Sequence, residues 1–476
     1  MHAPWKKRLL LLDLPWQVGV IMTIAALILF VCSSFRHELF QSTALDLGYF
    51  DQAIYLISQG LPPVVSFWGY HVMGGHADWI IYGIAGFYKL YPSVYWLFAI
   101  QALSLAGGAL PSWHLARQAG LEVSQATAIA LVYLLYPLVF NLNLFDFHPE
   151  VIALPLLLGA VWAAKGNRTG WFTLCVVIIL GCRDALSITV AAMGLWLIIF
   201  EQKRICGAIA LSLGTAWFLI ATQVVIPYFR PLGVESVTRY AYLGNSLSDV
   251  IANLFLKPGL ILGKVFSLDT AIYLALIGIP FLWGISSRHL LPLLPALPTF
   301  LINVLSDSPA QRDLLHQYSL PAVPFLLLAA IASLAAGSAW FRKPRWIVLW
   351  ALVSFLALAK YTFFGSLYLT RLSSLSATQE AISTIHQIEE RRAKESVLTT
   401  SYIAPHLTHR VALEYTKLVA PPNRLDPFRY VLLNLQDPGW ASSPELAQAL
   451  LQKAQNDPMF RLEYQRDRVY LFINQS

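Results

Sequence analysis

Apolar runs dominate the chain. They fall at roughly 16–35, 94–115, 124–145, 149–164, 170–182, 185–200, 205–227, 270–286, 289–305, 319–340 and 345–365. A bilayer core about 30 Å thick needs about 20 helical residues. The pattern therefore predicts an α-helical polytopic membrane protein with about eleven transmembrane helices, several of them short or interrupted by proline. The stretch 77–92 is apolar but carries Asp78, Lys89 and Pro92, and reads as an interfacial or re-entrant helix. Lys6, Lys7 and Arg8 precede the first run as in a signal peptide. That run has span length and no small-residue cleavage site follows it, so it reads as an uncleaved first span.

Beyond about 371 the pattern shortens. Residues 376–394 form a polar helix with Ser376 as its cap and Ile382, Ile385 and Ile388 on one apolar face. Short strands are expected at 396–400, 411–415 and 430–435. A helix over 444–454 is capped by Ser443, and 460–464 pairs with 468–473 as a hairpin turning at 465–467. The expected organisation is a membrane domain over 1–370 and a small soluble α/β domain over 371–476. Two long loops interrupt the membrane part, 36–76 and 228–269. In the second, 247–255 reads as a short amphipathic helix capped by Ser248.

Composition narrows the class. Hydrophobic residues make up 57% and charged residues 12%, against about 25% charged in ordinary soluble domains. Disorder and a plain cytosolic enzyme are excluded. The 15 Trp and 21 Tyr suit membrane interfaces. The net charge of +7 does not point to nucleic acid, because of where the charges lie. With the N-terminus in the cytoplasm, the inner loops hold Lys6, Lys7, Arg8, Arg117, Lys165, Arg168, Lys203, Arg204, Arg288, Arg342, Lys343 and Arg345. Against them stand only Asp13, Glu122 and Glu201. The acids collect on the other side: Glu38, Asp46, Asp51, Asp78, Asp146, Glu150, Asp184, Glu235, Asp249, Asp269, Asp307 and Asp313. This sorting follows the positive-inside rule and puts the C-terminal domain outside. Cys32, Cys175, Cys182 and Cys206 lie in or beside apolar runs with no CxxC spacing, and read as core residues.

Five groups could carry chemistry. Asp46 and Asp51 follow the first span. Five residues on a helix turn about 140°, so the two need not share a face. One could serve the cavity while the other braces the loop, and Asp46 could alternatively be a helix N-cap. Asp146, His148 and Glu150 stand together, with Pro149 suited to the first helical position. Arg183 and Asp184 form either an internal ion pair or an anion site, since a guanidinium fork matches phosphate. Arg312, His316 and Tyr318 lead into a later span, and His71 and His76 lie in the first long loop. There is no Walker A, HExxH or GxSxG motif, so ATP-driven chemistry is not expected.

The Asp46–Gln52 run, the His76 segment, Phe147-His148-Pro149-Glu150 and the stretch from Tyr318 to Pro324 resemble a family of uncharacterised bacterial membrane proteins. The resemblance covers most of the chain. That family is grouped with the GT-C integral-membrane glycosyltransferases, whose members include protein O-mannosyltransferases and aminoarabinose transferases. The superfamily carries an acidic motif, often Asp-Glu, in the first outer loop, about fourteen residues before a glycine. Asp46 stands at that distance from Gly60, Leu47 replaces the second acid, and Asp51 could compensate. A second acidic position resembles Asp146 or Glu150, and a basic one resembles Arg183.

The resemblance implies a GT-C-like fold and sugar transfer from a polyprenyl phosphate to an unknown acceptor (glycan, lipid or protein) at the outer face of the bacterial inner membrane. Asp46 would be the general base. Arg183, with His76 or His148, would hold the phosphate. No cofactor is required by the motifs, although a divalent cation, Mg or Mn, could sit on Asp146 and Glu150. Two other readings stand beside this one. A carrier or flippase would show polar groups deep in the spans, which are poor in them. A structural protein would not need the clustered acids.

Overall fold

The computed structural model describes residues 15–231, 235–361, 363–390, 394–422 and 424–475, and the side chains of 235–236 and 363–372 are not part of that description. Lys6, Lys7, Arg8 and Asp13 lie outside it.

Every expected apolar run is helical, but many of the rods are broken. By length and apolarity three helices among the described residues can cross a membrane: Trp16–Glu38, Arg204–Phe229 and Pro309–Ala335. Two bent pairs raise the number to five, so this criterion does not reach the expected eleven. The sequence explains the breaks. The run 94–115 divides at Gly108 into Tyr95–Gly107 and Ala109–Gln118. A Cβ at Gly108 would fall 2.2 Å from the Tyr133 ring, so only glycine admits that ring. Tyr133 Oη in turn donates to the Leu105 carbonyl at 2.8 Å beside the break. The next run bends by 41° before Pro137, because the residue preceding a proline is pushed out of the helical region. Pro292 and Pro295 keep 291–296 in 3₁₀ form ahead of Leu297–Leu305.

The helix expected at 247–255 runs Leu247–Leu256, but its cap is Ser246, not Ser248. Ser246 has extended backbone, and its hydroxyl accepts the Asp249 amide N–H at 3.1 Å while the Asp249 carboxylate accepts the Ser246 amide N–H at 3.2 Å. Pro258–Val265, expected as loop, forms a further helix beside Leu268–Gly278.

The composition change at 371 falls inside one continuous helix, Phe363–Glu389. Ser376 is therefore internal rather than a cap. This helix carries the chain into a five-stranded sheet: β3 (Val397–Thr399), β4 (Leu413–Tyr415), β5 (Tyr430–Asn434), β6 (Phe460–Arg466) and β7 (Val469–Asn474), in the order β4-β3-β5-β7-β6. A two-stranded hairpin, β1 (Val64–Val65) and β2 (Tyr70–His71), lies in the first long loop. The first three strands of the larger sheet are parallel, and β7 and β6 are antiparallel additions. β5 is buried on both faces. Its Val431 and Leu433 pack with Ala447, Leu450 and Leu451 of helix Pro444–Asn456, and its Leu432 faces the opposite core. Ser443 caps that helix as expected. The β6–β7 turn is tighter than expected, centred on Asp467 and Arg468 at φ 47° and 62°.

Candidate functional site

The site begins where helix Trp16–Glu38 ends. Its last turn carries Arg36, whose guanidinium pairs with Asp146. The other Asp146 oxygen accepts the Thr43 amide N–H at 2.9 Å and lies 3.1 Å from the Thr43 hydroxyl. The Asp146 side chain is 0% exposed. Its backbone is held at φ 135°, a conformation costly for any residue but glycine. Asp146 thus ties the first long loop to the helix before it.

Thr43 also caps the following turn, accepting the Asp46 amide N–H at 3.4 Å. Asp46 is therefore the capped residue and not itself an N-cap. Its side chain is 29% exposed, its Oδ1 lies 3.3 Å from His148 Nε2, and the Thr43 hydroxyl stands 3.2 Å from its Oδ2. His148 Nδ1 faces the Asp146 carbonyl at 3.3 Å. Both ring nitrogens thus meet acceptors, an arrangement that suits the imidazolium. Burial disfavours both charges, but the Asp46–His148 contact outweighs it. The carboxyl sits below its ordinary value and the imidazole above. His148, expected to help hold a phosphate, here faces Asp46 in the same cavity that Arg183 and His76 line.

Asp51 points elsewhere. It is buried and accepts hydrogen bonds from Tyr88 Oη and the Thr408 hydroxyl, with His409 Nε2 at 3.2 Å. Burial raises its carboxyl, and His409, Thr408 and Tyr88 together bring it below the ordinary value. Thr408 and His409 belong to the C-terminal part, so Asp51 is a docking group and lies outside the cavity that holds Asp46.

Arg183 and Asp184 do not pair with each other. Arg183 pairs with Glu150, and its second Nη lies 2.9 Å from His76 Nε2. Because Arg can only donate, His76 accepts there and is the neutral tautomer with its proton on Nδ1. Nδ1 stands 3.3 Å from Asp184 Oδ1. Burial and then the Arg183 charge hold the His76 imidazole below its ordinary value. The Tyr318 ring faces two cations, Arg183 at 5.7 Å and Arg239 at 4.9 Å. Among the described residues no carboxylate pairs with Arg239.

These residues border two adjoining cavities. One, of about 580 Å³, is the more polar of the two and is lined by Asp46, His148, His316 and several aromatic side chains. The other, of about 470 Å³, is largely apolar, bounded by helices Leu186–Ile199, Arg204–Ile220, Leu247–Leu256 and Leu297–Leu305, with Glu150 and Asp184 at its edge. His76, Arg183, Arg239, Gln317 and Tyr318 line both. His316 is held by Asp313 at 2.7 Å. Two expected cavity residues line neither space. Arg312 donates to the Ser306 carbonyl and lies 3.9 Å from Asp269, and His71 stacks on Phe229 at 4.0 Å.

A divalent cation does not fit the expected ligands. Asp146 is taken by Arg36 and Thr43, and Glu150 by Arg183. Among the described residues no three His, Cys, Asp or Glu stand together as a metal cluster. Arg239 and the C-terminal residues Tyr402 and Trp440, which also line the polar cavity, escaped the sequence reading. No motif marks them, and only the fold brings them to Asp46.

The profile of a family described as "Predicted membrane protein (DUF2079)" matches residues 36–471. No curated protein matches the sequence. Among solved structures, ArnT from Cupriavidus metallidurans bound to undecaprenyl phosphate is similar over 96% of this chain and 98% of its own, with a TM-score of 0.55 at 12% identity. The apo form of the same ArnT gives 0.53 at 11% identity over the same shares. At such identities the likeness concerns the fold alone.

Proposed function

The chain belongs to the DUF2079 family of predicted membrane proteins, and from that premise we propose that it is a GT-C-type inverting glycosyltransferase using a polyprenyl-phosphate sugar. The observation that carries this reading is the meeting of a polar and an apolar cavity at Arg183, Arg239, His76 and Tyr318. The apolar space suits an isoprenoid tail, the cations suit a phosphate, and the polar space suits the sugar and an acceptor hydroxyl. The undecaprenyl phosphate bound by ArnT supports a lipid phosphate here.

In the proposed step Asp46, ionised beside His148, takes the proton of the acceptor hydroxyl. The acceptor oxygen bonds to the anomeric carbon from the face opposite the phosphate. The anomeric carbon–oxygen bond breaks and its electron pair leaves with the lipid phosphate. Arg183 and Arg239 meet the charge growing on that phosphate, and His76 orients Arg183. No metal is assigned a part. The charge sorting supports a cytoplasmic N-terminus in a bacterial inner membrane and a reaction at the outer face. Residues 1–370 would form the membrane domain, and 371–476 an extracytoplasmic domain that closes over the Asp46 loop.

The test is transfer from a panel of synthetic polyprenyl-phosphate sugars by the purified full chain. Asp46→Asn keeps the shape and removes the base, and is expected to lower the rate about 10²-fold or more with the fold intact. Full activity in that variant would remove Asp46 from the chemistry. No transfer from any donor in the panel would favour the carrier reading.

A further inference from the structure

The mouth of the polar cavity is built from two segments far apart in the chain. The β1–β2 hairpin, turning through Gly69 at φ 72°, brings Trp68 and Tyr70 to the rim with ring centroids 5.8 Å apart. Ser66 anchors this hairpin. Its amide N–H donates to Gln52 Oε1 at 3.0 Å, and its hydroxyl accepts the Leu413 amide N–H at 2.9 Å. The other segment follows β5 and carries Trp440 between Gly439 at φ 88° and Ala441 at φ 66°. A Cβ at Gly439 would fall 2.8 Å from the Tyr402 ring, so glycine lets this loop close onto Tyr402. The loop is tied down by Ser401 N–H to the Pro438 carbonyl at 3.0 Å and Leu418 N–H to the Ala441 carbonyl at 2.9 Å.

Trp440 is 60% exposed and Trp68 37%. Neither is needed to fill a core. Anchored backbone nonetheless holds both at the edge of a cavity that contains the base. Sugar rings present two kinds of surface: hydroxyls at the equator, and faces of C–H groups that match the negative face of an aromatic ring. An aromatic rim around a polar chamber fits that chemistry.

We propose that Trp68, Tyr70, Tyr402 and Trp440 form the acceptor subsite, and that the acceptor is a saccharide whose rings stack on these side chains while one hydroxyl reaches Asp46. The proposal rests on the transferase reading and names its acceptor class.

The test needs no donor. The full chain, purified in detergent, is applied to an array of immobilised bacterial oligosaccharides. Wild type is expected to bind a subset of these glycans. Trp440→Ala and Trp68→Ala should weaken binding about tenfold, and Trp440→Phe should retain most of it. Unchanged thermal unfolding of the variants separates lost binding from misfolding. The proposal is overturned if wild type binds no saccharide on the array, or if the tryptophan variants bind as wild type does. It also falls if brominated phospholipid in nanodiscs quenches the Trp440 fluorescence, identified by difference from Trp440→Phe, because the rim would then be a membrane anchor. Glycan binding without sugar transfer would count against the transferase reading alone. Transfer to a non-sugar hydroxyl without glycan binding would count against the saccharide acceptor alone.

Discussion

Asp46 Oδ1 and His148 Nε2 face each other at 3.3 Å across two loops that are far apart in the chain. Each stabilises the charged form of the other against burial. The pair keeps the proposed base ionised at neutral pH.

Replacing His148 should therefore appear as a pH effect. The Asp46 carboxyl is held below its ordinary value partly by His148. In His148→Gln that carboxyl rises, and the acid limb of the pH–rate profile moves to higher pH. At neutral pH the loss should be smaller than that of Asp46→Asn. A profile with an unmoved acid limb would separate His148 from the base.

Asp146→Asn should act on stability. It leaves Arg36 buried without its counter-charge, a change that costs about 3–5 kcal/mol for buried pairs. A marked fall in Tm of the detergent-solubilised protein is expected. Pairing the change with Arg36→Met should recover part of it. Unchanged unfolding in the single variant would mean that the ion pair does not hold the loop.

Asp51→Asn should loosen the C-terminal part while costing less activity than Asp46→Asn. The ionised carboxylate accepts from Thr408 and faces His409. Its folded value lies below the ordinary one, so its contribution is present at neutral pH and is lost as pH falls through that folded value. Limited proteolysis between the two parts should rise on acidification in wild type. It should be raised already at neutral pH in the variant.

Arg239→Ala should raise the KM for the lipid-phosphate donor about ten- to a hundredfold, the range for a lost charged hydrogen bond. Arg239→Lys should restore part of the affinity by keeping the charge without the fork. An unchanged KM would leave the phosphate to Arg183 and His76.

Local signals suffice where local chemistry decides. Ser443 caps its helix because a serine followed by proline at the first helical position favours that start. The hairpin of β6 and β7 formed because alternation and a short polar turn suffice. The cap lies at Ser246, two residues before the expected Ser248, since both serines are competent and the reciprocal contact with Asp249 chooses between them. The long-helix breaks were only partly legible. Pro137 marks one, but the break at Gly108 depends on Tyr133 arriving from another helix.

The site divides along the same line. The sequence by itself determined the membrane class and the small C-terminal α/β fold, because apolar run length and short-range periodicity are properties of neighbouring residues. It also marked Asp46, His76, Arg183 and Tyr318 as chemistry-bearing. Which charge meets which was decided only by tertiary structure. Asp146 found Arg36, Glu150 found Arg183, and Asp51 found His409 rather than the cavity. A buried charge needs a partner within a few ångströms, and packing, not chain proximity, supplies it. Trp440 reaches the Asp46 cavity for the same reason: only the folded sheet carries it there.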